Sequence, residues 1–218
     1  IPILGKMFRY LASQTKTNIC CHVDHGYTLD ECYEGIDSGF TSVMFDGSKL
    51  TLKENIKISK KIASRAHKYN ISIEGEIGFV GYDNGKISEG TNIEDAVSFA
   101  NKSNIDAMAI SVGNTHLQTS KKASIDFNKI NLIEAKTKIP LVLHGSSGIP
   151  VEQRKKLARK TKVAKLNIGT EIRMTFGEAL RKNLKNNPKT YDRLQLLKPT
   201  IKDLTKVTKK IIKQIGPN

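Results

Sequence analysis

Short apolar segments alternate along the chain with longer polar segments in which apolar residues recur every three or four positions. Apolar runs this short and this rich in β-branched residues are typical of buried parallel strands. They predict strands at Asn18–Asp24, Ser42–Phe45, Ile71–Ile77, Ala107–Val112, Leu141–Leu143 and Val163–Ile168. The amphipathic segments predict helices at Leu29–Ser38, Lys53–Tyr69, Ile93–Lys102, Asp126–Thr137, Val151–Lys160 and Glu171–Asn186, after an earlier helical stretch at Leu4–Gln14.

This alternation predicts an α/β fold in which right-handed crossovers join parallel strands. We favour a (β/α)8 TIM barrel over a doubly wound sheet, because no GxGxxG follows the first strand and every strand ends in a polar or glycine-rich turn. A complete barrel has eight strands and about 250 residues. We therefore expect residues 1–218 to form a single, partial barrel domain that lacks the first two strands. It would end in a basic amphipathic helix at about 199–215.

The net charge of +15 arises from 36 Lys and Arg residues against 21 Asp and Glu residues. Much of the excess lies in the C-terminal helix, where lysines face away from apolar residues and form a solvated surface. We therefore expect no nucleic-acid partner, although the charge would attract phosphorylated metabolites. No apolar run approaches the roughly 20 residues of a membrane span. The three cysteines are odd in number and close together, so we predict a reducing, cytoplasmic location.

Polar side chains stand where the predicted strands give way to loops, and in a barrel these positions meet at one mouth. They include three histidines on different strands, His25, His116 and His144, which is the ligand composition of a catalytic zinc site. Asp24 is a candidate acid or base, or a partner that orients a histidine. Asp46 and Glu76 are candidates for a secondary cation site or for contacts that orient the metal ligands.

Two glycine- and hydroxyl-rich loops follow the last two predicted strands and lead into helices. They read HGSSG from His144 to Gly148 and NIGT from Asn167 to Thr170. Exposed backbone N–H groups at a helix N-terminus bind anions, and barrels commonly hold phosphate after their last strands. The loops therefore predict a phosphate-binding site.

These motifs resemble the class II, zinc-dependent fructose-bisphosphate and tagatose-bisphosphate aldolase family. The resemblance covers nearly the whole chain in order. The matching stretches are HVDHG at 22–26, GFTSVMFDGS at 39–48, IEGEIG at 73–78, IDAMAISVGNTH at 105–116, IPLVLHGSSGIP at 139–150 and KLNIGTEIR at 165–173.

The resemblance implies a role for each candidate residue. His25, His116 and His144 would bind the catalytic Zn²⁺, and Asp24 would act as the acid/base at the hydroxyl next to the broken bond. Glu76 and Asp46 match positions near an alternative metal site, which could hold a second, monovalent or divalent cation. The ketose phosphate would contact Gly145, Ser147, Asn167, Gly169 and Thr170.

The implied reaction belongs to carbohydrate metabolism, as in glycolysis. A ketose phosphate or bisphosphate, such as fructose bisphosphate, would be cleaved to dihydroxyacetone phosphate and an aldehyde through a metal-stabilised enediolate. Relatives are dimers or tetramers, so the resemblance also implies a homo-oligomer.

The chain departs from the family pattern at two places near the site. Asp83 stands near the position of the family's mobile-loop glutamate, and Leu117 replaces the usual glycine after the second zinc histidine. Two alternatives therefore stay open: a metal-dependent phosphosugar epimerase-type barrel, and a non-catalytic phosphosugar-binding relative.

Overall fold

The computed structural model describes residues 1–82 and 88–216. Its strands are β1 (His22–Gly26), β2 (Ser42–Phe45), β3 (Ser72–Ile77), β4 (Ala107–Ile110), β5 (Leu141–Leu143) and β6 (Val163–Leu166). The helices are α1 (Pro2–Ser13), α2 (Leu29–Asp37), α3 (Leu52–Lys68), α4 (Ile93–Ser103), α5 (Phe127–Lys136), α6 (Val151–Lys160), α7 (Thr170–Asn186), α8 (Arg193–Leu197) and α9 (Thr200–Ile215).

The described strands form a parallel sheet in the order β1-β2-β3-β4-β5-β6, which confirms the α/β prediction. The closed eight-stranded barrel stays a prediction. The first strand begins at His22 and not at Asn18, so that boundary was wrong. The physical reason is the register: His22 pairs with Ser42, the first residue of β2, so the residues before His22 extend past the neighbouring strand.

The chain divides into two compact units. The first consists of Ile1–Phe79, Ser88–Val112 and Asp126–Val142, and holds α1 to α5, β1 to β4 and the first two residues of β5. The second consists of the described residues of Val80–Ile87, Gly113–Ile125 and Leu143–Asn218, and holds the end of β5, β6 and α6 to α9. The single-domain prediction stays a prediction.

The core of the first unit lies on both faces of its strands. On one face Met44, Ala109 and Val142 pack together, all almost without exposure. Helix α3 covers the other face with an inner stripe that includes Ile62 and Ala66. Burial on both faces explains why β2 and β4 are nearly continuous apolar runs.

The second unit packs α9 against α7 and α6. Helix α9 buries Thr200 and Ile211, while most of its lysines are exposed, as its sequence pattern indicates. Across residues 1–82 and 88–216, every helix is too short or too polar to span a bilayer.

We predict that Gly75→Ala destabilises the first unit. A Cβ at Gly75 in β3 would lie 2.8 Å from Cζ of Phe99, whose ring is fully buried. Overpacking of this kind costs about 1–3 kcal/mol of unfolding free energy, which urea titration measures. Gly177→Ala is the control, because its new methyl would meet only the flexible side chain of Arg181. An unchanged midpoint in Gly75→Ala would contradict the packing described here.

Candidate active site

Strand β1 ends in a kink that sets the side chains of Asp24 and His25. The register with β2 shifts between Val23 and Gly26, and His25 takes the left-handed conformation with φ 62°. A non-glycine residue rarely adopts such a conformation, and where it occurs it often marks a functional site. In this kink Asp24 is exposed to solvent, His25 is half-buried and Gly26 is buried.

Two carboxylates, one half-buried and one buried, lie beside the His25 ring in the first unit. Nδ1 of His25 is 2.9 Å from Oδ2 of Asp46 and 4.0 Å from Oε2 of Glu76. Asp46 follows β2 and Glu76 lies in β3, so the parallel register brings them next to the end of β1. One imidazole and two carboxylates with ligand atoms within 4.8 Å of one another are a donor set that suits a divalent cation.

Hydrogen bonding controls the ionisation of Asp46. Burial alone would raise its pKa, but hydrogen bonds from the His25 ring and from the side chain and backbone of Ser48 lower the pKa from 3.8 to about 2. The Ser48 hydroxyl donates to Oδ1 over 2.6 Å. Asp46 therefore stays a carboxylate in the folded protein far below neutral pH, and it can orient the His25 ring.

We predict that Asp46 makes the metal-free protein sensitive to acid. Its pKa is lower in the folded state than in the unfolded state, so its contribution is complete above about pH 4 and is lost as the pH falls toward 2. The lost contribution is about 2 kcal/mol of unfolding free energy. Urea unfolding between pH 5 and pH 2 measures it, with Asp46→Asn as the comparison. Equal pH slopes in the two proteins would contradict the prediction.

His116 and His144 belong to the second unit, where their rings lie together. The ring centroids are 5.8 Å apart with the planes at 73°. His144 directly follows β5 and is 1% exposed, and Nδ2 of Asn167 is 3.2 Å from its Nδ1. The ring of Tyr82 stacks on His116 with centroids 5.1 Å apart. Two adjacent imidazoles fit the donor set of a zinc site.

His116 does not stand at a strand end as the sequence suggested. Strand β4 ends at Ile110, and His116 lies six residues further on in a loop. Its backbone N–H donates to the carbonyl of Gly81 over 2.8 Å, and this contact fixes the loop. The amide of Asn114 donates to the carbonyl of His144 over 3.0 Å, which holds the same loop from its other side.

The five predicted phosphate contacts lie in two neighbouring segments of the second unit. Gly145 has φ 63° and begins a tight turn, and the backbone N–H of Ser146 donates to the carbonyl of Asn167 over 3.0 Å. A Cβ at Gly145 would clash with the carbonyl oxygen of Thr115, so only glycine fits.

The second of these segments leads into helix α7. The helix begins at Thr170, and Gly169 before it offers no side-chain cap, so the first turn presents backbone N–H groups. The hydroxyl oxygen of Ser147 accepts a hydrogen bond from the Glu171 N–H over 3.1 Å. Its own proton is thereby directed elsewhere, and a serine hydroxyl together with a helix N-terminus is suited to bind an anion.

The two departures from the family pattern have different outcomes. Asp83 lies outside the described residues. Leu117 has φ 56°, so its backbone keeps the left-handed conformation that favours glycine, and its side chain is 56% exposed. The substitution therefore adds an apolar side chain at the surface without changing the backbone path.

Several residues around these groups were not predicted from the sequence. They are Ser48, Tyr82, Asn114 and Arg154. Asn114 could have been noticed, because it shares the GNTH stretch with His116. The burial of Arg154 could not be predicted from the sequence, since this residue lies in a helix that is otherwise rich in solvated charges.

Comparisons with known proteins identify the family of the chain. The family model described as class II fructose-bisphosphate aldolase matches residues 1–218. The chain is 36% identical over 201 residues to the 6-phospho-5-dehydro-2-deoxy-D-gluconate aldolase of Shouchella clausii, covering 91% of this chain and 68% of that protein. It is 33% identical over 202 residues to a fructose-bisphosphate aldolase of Staphylococcus aureus, covering 91% and 70%.

A solved structure shows the same fold. The YdjI aldolase of Escherichia coli K12 superposes with a TM-score of 0.82 at 26% identity, over 99% of this chain and 76% of that one. Together with the match of the family model over the full length, these similarities show that the chain belongs to the class II fructose-bisphosphate aldolase family.

Proposed function

We propose that this protein is a zinc-dependent aldolase that cleaves and forms a carbon–carbon bond in a phosphorylated keto sugar. The products of cleavage would be dihydroxyacetone phosphate or a related three-carbon unit and an aldehyde. The observation that carries the proposal is His25, held in a left-handed kink beside the half-buried carboxylate of Asp46 and the buried carboxylate of Glu76. Family membership supports the reaction class.

The proposed zinc ligands are His25, His116 and His144. Contact with Asp46 occupies Nδ1 of His25, and this leaves Nε2 as its ligand atom. Glu76 and Asp46 would form the alternative cation site, where a second monovalent or divalent ion could bind. When bound, the zinc ion would supply Lewis-acid polarisation of the substrate carbonyl and stabilise the negative charge that develops on cleavage.

Asp24 is the proposed acid/base. It is exposed at the kink, next in sequence to the His25 ligand, whereas Asp46 is half-buried and Glu76 is buried. An exposed carboxylate can accept the proton of the substrate hydroxyl whose carbon–carbon bond breaks and return it in the reverse reaction. Asp46 and Glu76 are less suited to this step because they already contact the His25 ring.

The segments from Gly145 to Ser147 and from Asn167 to Thr170 would hold the substrate phosphate. Donation by the Ser147 hydroxyl and by backbone N–H groups in the first turn of α7 would fix the phosphate and thereby the position of the reacting bond. The two similar aldolases differ in their named sugar, so the substrate is proposed only as a phosphorylated keto sugar.

A coupled assay for triose phosphate release tests the proposed function. Zinc-loaded protein is incubated with a panel that includes fructose 1,6-bisphosphate, tagatose 1,6-bisphosphate and 6-phospho-5-dehydro-2-deoxy-D-gluconate, with and without a chelator. We expect release from at least one substrate, loss of release with chelator and its recovery when zinc is added. Turnover without cleavage would favour the epimerase-type alternative. Protein that binds these sugars without turnover would be a non-catalytic relative.

We also propose an assembly state and a cellular location. A homodimer or homotetramer and a cytoplasmic location follow from the family resemblance and the cysteine pattern.

A further inference from the structure

Arg154 is a fully buried arginine that the proposed reaction does not use. It lies in α6, and its side chain is 0% exposed. Nε donates to the carbonyl of Ile149 over 2.9 Å, and Nη2 donates to Oε2 of Glu171 over 2.6 Å. The third nitrogen, Nη1, is buried without a hydrogen-bond partner among the described residues.

These contacts join the two segments of the proposed phosphate site. Ile149 ends the turn that carries Ser147, and Glu171 is the second residue of α7. The Glu171 N–H in turn donates to the Ser147 hydroxyl oxygen over 3.1 Å. A single guanidinium is thus linked to both strand-end loops that we propose for phosphate binding.

Stability alone does not explain a buried arginine of this kind. Burial of a charge costs desolvation energy, and apolar replacements of a buried ion pair are often neutral or stabilising. A buried N–H group without a partner adds to that cost. We therefore look for the role of Arg154 in its effect on the charge of its partner, Glu171.

The carboxylate of Glu171 is electrostatically unfavourable for the proposed ligand. It lies in the first turn of α7, where the helix would otherwise attract an anion, and its side chain is only 18% exposed. Arg154 neutralises it from the buried side, while Nζ of Lys121 lies 3.4 Å from its other oxygen, Oε1.

We propose that Arg154 is a positioning residue whose positive charge compensates the carboxylate of Glu171, so that the N-terminus of α7 binds the substrate phosphate. The inference rests on the proposed function, since it deepens the description of the same phosphate site. If the inference is correct, phosphate affinity depends on the summed charge of residues 154 and 171. It does not depend on whether the two side chains form an ion pair.

Four variants test this, with inorganic phosphate as the probe and zinc-loaded protein in calorimetric titrations. We expect Arg154→Met to weaken phosphate binding roughly tenfold, the scale of charge effects at a partly buried helix terminus. Glu171→Gln should bind phosphate several-fold more tightly, and Arg154→Met with Glu171→Gln should bind about as well as the wild type. Lys155→Met is the matched control, because Lys155 is the next residue in α6 and forms an exposed ion pair with Glu152.

A purely structural role would weaken binding in all three variants of the buried pair, and that result would overturn the inference. So would unchanged binding in Arg154→Met, or a loss in Lys155→Met equal to that in Arg154→Met. If Arg154→Met does not fold, Glu171→Gln and the double variant decide by the same criteria. Absence of phosphate binding in the wild type would overturn the proposed site itself. If the wild type binds phosphate but the affinities of the variants do not follow the expected order, only the role of Arg154 is overturned.

Discussion

His144→Ala should abolish both zinc binding and aldolase activity. His144 is 1% exposed and its ring lies against that of His116, so alanine would remove a buried imidazole from the proposed ligand set. Loss of a principal electrostatic stabiliser of the transition state costs a factor of about a thousand or more. Metal content per chain and the rate of triose phosphate release measure the two effects on the same preparation.

His67→Ala is the control for this variant. His67 is exposed near the C-terminal end of α3, where its Nε2 is 3.0 Å from Oδ2 of Asp106. It should keep the wild-type metal content and rate. A His144→Ala protein that retains one zinc per chain and measurable turnover would remove His144 from the proposed ligand set.

Asp24→Asn should separate metal binding from turnover. The substitution keeps the size of the side chain and removes its ability to accept a proton, so the turnover rate should fall by about 10²–10⁴-fold while zinc content stays unchanged. The exposed Asp30 in α2 provides the matched control, because Asp30→Asn removes one carboxylate without touching β1. Loss of zinc together with turnover in Asp24→Asn would place Asp24 among the residues that hold the ligands.

The sheet could be predicted because strands that are buried on both faces consist of short apolar runs. Residues such as Met44 and Ala109 belong to short apolar runs that periodicity detects directly. The positions of the loop histidines are harder to predict, because the rule that site residues directly follow a strand does not always hold. His144 stands directly after β5 as predicted, whereas His116 lies six residues beyond the end of β4, in a loop where its backbone N–H donates to the carbonyl of Gly81.

The kink at His25 could not be predicted from local sequence. The left-handed conformation is favoured for glycine and asparagine, and a histidine in the stretch HVDHG gives no indication of it. In the folded chain the His25 ring contacts Asp46, which is distant in sequence. The burial of Arg154 is hidden for a similar reason, since its partner Glu171 lies seventeen positions further along the chain in another helix.

X-ray absorption at the zinc edge tests the central claim most directly, because it reports the ligands of the bound ion. For wild-type protein refolded with one equivalent of zinc, we predict a first shell with three imidazole nitrogens at about 2.0–2.1 Å. Replacing His25 or His116 singly by alanine should remove one of them, whereas His144→Ala should bind no zinc. A wild-type ion surrounded only by carboxylate and water oxygens, or wild-type protein that retains no zinc, would contradict the account.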